Sequence, residues 1–120
     1  MAKRKYKNGW IKDLPKRLKI GNLIYEVEIL GPAREREDHA FGACVNNDQI
    51  IRLGSMMKRQ KARDTLMHEV LHAIIWCYNI PFKDDEEVCR MLPMALDLFR
   101  LDNPKAWRFI YPEKRCKHRP

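Results

Sequence analysis

The sequence predicts an α+β domain: a small antiparallel sheet of three to four strands, followed by two packed helices. Three observations lead there. Short β-branched segments bounded by turn dipeptides occupy the first half of the chain, around Gly21-Asn22 and Asn46-Asn47-Asp48. Helix-period stretches follow over residues 55–78 and 84–101. A chain of 120 residues with 45% hydrophobic and 33% charged content is long enough for one modest core.

Taken in order, residues 1–16 read as a basic arm with several lysines, Gly9, Pro15 and one anchor, Trp10. RLKIGNLIYEVEIL (17–30) is a hairpin, with Gly21-Asn22 as its turn and Pro32 as its stop. The charged stretch 33–39 is a loop. AFGACV and QIIRLG flank Asn46-Asn47-Asp48 as a second hairpin. Ser55 marks the N-cap region of a helix reaching Tyr78, with Asn79 and Pro81 ending it. Asp84 with Glu87 three residues later has the form of a capping box and opens a second helix to Leu101, which Pro93 should kink or break. Asn103-Pro104 begins a short last turn or helix. The packed domain is therefore expected over 17–112, with a basic tail at 113–120.

No apolar run is long enough to span a bilayer, and no apolar segment with a cleavage site follows the basic N-terminus. The expectation is a cytoplasmic protein with no membrane partner. Cys44, Cys77, Cys89 and Cys116 form no C-x-x-C pair, so they read as free thiols, Cys77 and Cys89 as small core residues. The net charge of +8 is uneven: the ends, 1–19 and 105–120, hold +12, and the middle holds −4. Basic ends of this kind admit weak, salt-sensitive nucleic-acid contact, or serve as solvated arms.

The stretch TLMHEVLHAI (65–74) carries the chemistry. On a helix, His68 and His72 stack one turn apart, with Glu69 beside them. Leu66, Val70, Ala73, Ile74 and Cys77 collect on the opposite, core-facing side. Two imidazoles one turn apart can hold one zinc ion, and a neighbouring carboxylate can take a proton from the water that the ion activates. The bland alternative is a surface face with two histidines at i, i+4. A third ligand is still needed. No H-x-x-G-x-x-H continuation follows, because Ile75 and Tyr78 stand at those positions. The candidates are Asp84, Asp85, Glu86 and Glu87 at the start of the second helix, where acidic residues also suit the helix dipole. Tyr78 and His39 are candidate oxyanion donors, with structural roles as their alternative.

TLMHEVLHAI, the acidic pair after it, and V-C-x-x-L-P-x-A-L resemble the ImmA/IrrE-type HExxH metallopeptidases, especially small phage-encoded relatives. The resemblance covers about residues 40–104. It implies a minimal zincin-like fold and a third ligand from a pattern like E-x-x-A-x-x-F-A-x-x-L. Laid on this chain, Glu86 falls on the ligand, Cys89 on the small position, Leu92 on the aromatic one and Leu96 on the last apolar one. Pro93 departs from the pattern, and Glu87 is the second choice. The resemblance thus implies a zinc-dependent peptidase acting on a protein or peptide substrate, with Zn2+ on His68, His72 and Glu86 and with Glu69 as general base. The alternative is a catalytically inactive zincin-like binding or regulatory protein, associated with nucleic acid through its basic termini.

Overall fold

The computed structural model describes residues 9–33 and 41–113. Four strands, β1 (Arg17–Ile20), β2 (Leu23–Leu30), β3 (Gly42–Val45) and β4 (Ile50–Gly54), precede three helices. The helices are α1 (Arg59–Tyr78), α2 (Asp85–Asp102) and α3 (Pro104–Ile110). A 3-10 helix, Gly9–Asp13, leads in. Both hairpins form where their turn residues place them. Gly21 takes φ +60°, which a two-residue hairpin turn needs and glycine adopts without penalty.

The sheet order is β1-β2-β4-β3. It is mixed, which corrects the expected all-antiparallel sheet. β1 with β2 and β3 with β4 are antiparallel, but β2 and β4 run parallel at the centre. The reason lies in the pairing of the two hairpins. Each is antiparallel within itself, and they join through their most apolar strands, with Val27 opposite Ile51 and Ile29 opposite Leu53. The intervening chain carries β3, so β4 returns in the direction of β2.

One sheet face is the core. Leu18, Ile20, Tyr25, Ile51 and Leu53 are buried on it against Leu66, Val70 and Ile74 of α1. Each such aliphatic side chain contributes about 1.5–3 kcal/mol on burial. The other face carries Arg17–Glu26 and Arg52–Glu28 ion pairs at 3.1 Å, each worth well under about 1 kcal/mol.

Helix α1 starts at Arg59 with Lys58 as N-cap, later than the Ser55 region expected. Gly54 N–H still donates to Phe41 O, and Ser55 N–H to Leu30 O, so the sheet holds those residues out of the helix. Asn79, in the left-handed region at φ 54°, ends α1 by donating its N–H to Ile75 O and Trp76 O. Asp84 caps α2, its side chain accepting the Glu87 N–H at 3.2 Å. Pro93 does not break α2, which runs on to Asp102. Pro93 and Cys89 are both exposed, so the carbonyl that Pro93 leaves without a helical donor lies on the water side.

The packed unit begins before Arg17. Trp10 and Leu14 join the core, and the Trp10 indole N–H donates to Met57 O at 2.7 Å. The described part of the 1–16 arm is thus part of the domain, anchored where the lone tryptophan stands. Residues 1–8 and 114–120, which hold most of the basic arm and tail, lie outside the described residues, as do His39 and Cys116. Cys77 is half-buried, whereas Cys89 is exposed and not a core residue. Among the described residues no helix is long and apolar enough to cross a membrane.

Candidate metal centre

His68 and His72 lie on the exposed face of α1. Their Nε2 atoms approach to 3.2 Å, and their rings meet edge to face with centroids 4.7 Å apart. Two nitrogens each 2.0–2.1 Å from one ion at the tetrahedral angle stand about 3.3–3.4 Å apart. The pair therefore has about the spacing of two corners of a tetrahedral site, which is one of its edges. A neutral imidazole pair sharing one N–H···N hydrogen bond also accounts for that distance.

Glu69 does not share their face. One residue further along the helix turns it about 100°, onto the row of Thr65 and Ala73, and it is 6% exposed. The row faces β3. Gly42 makes that approach possible: a Cβ there would stand 2.6 Å from Thr65 Cγ2, 3.1 Å from Arg52 O and 3.3 Å from Glu69 Oε2. A side chain on β3 at this point would collide with the helix. Burial raises the Glu69 pKa, and His68 and then His72 partly offset the rise. Cys44, two residues along β3 from Gly42, is pushed up to about 11, first by burial and then by the Glu69 carboxylate. It is a neutral thiol at neutral pH.

Beside Glu69 opens a cleft of about 330 Å³, lined by Phe41, Gly42, Lys61, Asp64, Thr65, His68 and Glu69. The Lys61 ammonium sits 4.8 Å from the Phe41 ring centroid. β3 is the terminal strand of the sheet, and among the described residues no strand pairs with its outer edge.

Glu86 is exposed in the first turn of α2. Among the described residues, no third His, Cys, Asp or Glu joins the histidines in a group that could hold an ion. The residues thus fit a metal at two positions, and the completing carboxylate does not stand with them. Glu87 is engaged by the Arg90 guanidinium, and Asp84 by the Glu87 N–H. Tyr78 is half-buried, its ring 3.9 Å from where a Gly21 Cβ would stand at the β1–β2 turn.

Sequence reasoning missed the cleft walls: Phe41, Gly42, Lys61, Asp64 and Thr65. Gly42 carried a usable signal, since an isolated glycine inside a strand often marks a close approach of another element. Asp64 lies four residues before His68, hence on the same helix face. Phe41 and Lys61 carried none. Comparison with protein-family models, curated proteins and solved structures finds no match to this chain.

Proposed function

We propose that the chain is a zincin-like metallopeptidase that hydrolyses a peptide bond of a protein or peptide substrate. In this reading His68 and His72 hold Zn2+, Glu86 completes the ligand set when α2 brings it to the pair, and Glu69 is the general base. The observation that carries the reading is the trio itself: two imidazole nitrogens at 3.2 Å with a carboxylate, withdrawn from water, next to them on the helix. Zinc, when bound, supplies Lewis acidity toward water and a carbonyl oxygen. Glu69 accepts the proton of the attacking water and passes it to the leaving amine, a role suited to a carboxylate whose pKa burial has raised. The outer edge of β3 aligns an extended substrate by backbone hydrogen bonds. Gly42 keeps the space between that edge and Glu69 free of a side chain.

The second reading is a zincin-like binding protein without activity. It is favoured by one observation, that no third ligand stands beside the histidine pair among the described residues. Metal content of the purified chain by mass spectrometry separates the two when joined to a turnover assay. The peptidase reading expects near one zinc per chain, lost in His68→Ala and strongly reduced in Glu86→Ala. It also expects hydrolysis of an unfolded polypeptide that falls by about 10²–10⁴ in Glu69→Gln with zinc retained. Zinc retention with equal, absent turnover in wild type and Glu69→Gln supports the binding protein. Retention in Glu86→Ala but loss in Glu87→Ala moves the third ligand by one position.

A further inference from the structure

A second groove, of about 400 Å³, shares no lining residue with the cleft beside Glu69. It lies between the N-terminal 3-10 helix, the middle of β2 and the start of α3. Its floor is aliphatic, with half-buried Ile11, Val27 and Ile29. Its rim carries Lys12, Lys16 and Lys105, all exposed.

We propose that this groove docks an acidic, aliphatic segment of a partner protein. The charge balance of the rim points to an anionic occupant. Among the described residues Glu26 is the one acid of the lining, and it is paired with Arg17 at 3.1 Å. Asp13, next to Lys12, is taken by Arg59 at 2.6 Å. The nearby carboxylates are thus occupied by arginines, and the three rim ammonium groups form no ion pair among the described residues. A rim of this sign over an apolar floor matches a segment that alternates carboxylates with leucine-like side chains: the floor removes apolar area from water, and the rim selects the charge. Nucleic acid fits less well. Among the described residues no aromatic ring lines the groove for base stacking.

The proposal is independent of the metal reading. It is tested on the full chain by fluorescence anisotropy with a labelled peptide of about twelve residues alternating Glu and Leu, at physiological salt. The expected affinity is in the micromolar range, about 10 μM. K12E/K16E/K105E should weaken it at least about tenfold, whereas K83E/R90E/R100E, the same charge change outside the groove, should not. An all-Glu peptide of equal length should bind at least about tenfold more weakly, because it has nothing to place on the floor. His68→Ala should bind as wild type does. Equal binding of the all-Glu peptide would overturn the proposal. So would equal weakening by both triple variants, tighter binding of an oligothymidylate at the same site, or no binding of the Glu/Leu peptide.

Discussion

Gly42→Ala tests the seam between β3 and α1. The added Cβ would meet Thr65 Cγ2 at 2.6 Å, closer than carbon atoms approach in folded proteins, and two oxygens at 3.1 and 3.3 Å. Thr65 is buried and lies against Met57, its hydroxyl 3.4 Å from Met57 Sδ, so the methyl has little room to retreat. The strand or the helix must move by several tenths of an ångström. Overpacking of this kind typically costs about 1–3 kcal/mol, and for a chain of this size each kcal/mol lowers the melting temperature by about 3–6 °C. The assay is thermal and urea unfolding of wild type, Gly42→Ala, Thr65→Ser and the double variant. Thr65→Ser removes the colliding methyl while keeping the hydroxyl. The double variant should therefore be more stable than the two single losses added together, by about 1 kcal/mol or more. Additive losses would refute the reasoning, because they would mean that the two residues do not press on each other.

Two further predictions concern buried polar groups. Glu69 has a folded pKa above its unfolded value, so the folded state binds the extra proton and stability falls as pH rises from the unfolded carboxylate pKa through the folded one. Metal-free Glu69→Gln should therefore gain stability over wild type at neutral pH and lose that advantage in acid; urea titrations across pH check it, and a pH-independent difference would contradict the burial of the charge. Asn103 accepts the Lys19 N–H at 2.7 Å and donates to Lys19 O at 2.7 Å and Phe99 O at 3.0 Å, acting as a surrogate neighbour for edge strand β1. Asn103→Ala should cost about 1–3 kcal/mol in urea unfolding, and Asn103→Asp more at neutral pH, because a carboxylate would face two carbonyl oxygens.

Local signals in the sequence were strong wherever one residue type answers one backbone demand. Gly21, Asn79 and Asp84 each mark a boundary by what their backbone or side chain does alone, and the turns and helix ends fall there. The parallel β2–β4 pairing was not legible, because it depends on which faces of two hairpins meet, and no local residue encodes that choice. The start of α1 was misread for a related reason: Ser55 is a good cap by type, but hydrogen bonds from Gly54 and Ser55 to distant strand residues keep it in the sheet's reach. Pro93 carried a local expectation that tertiary placement overrode, since its side of α2 faces water.

The histidines and Glu69 were read together from five letters, yet the fold separates them by environment, and that separation bears on function. A surface face with two incidental histidines needs no buried acid, because a glutamate at its edge can turn to water at no loss. Here the carboxylate sits on the row of Thr65 and Ala73, under a strand that only a glycine at position 42 can bring so close. Partial burial of a carboxylate lowers stability, and a sheet edge built to tolerate it adds the constraint on Gly42. Both make sense if the carboxylate must be held rigidly beside a space where a polar reactant lies. The cleft lined by Glu69 and His68 is such a space. The physical case for chemistry at this helix thus rests less on the motif than on the arrangement that keeps Glu69 out of the water.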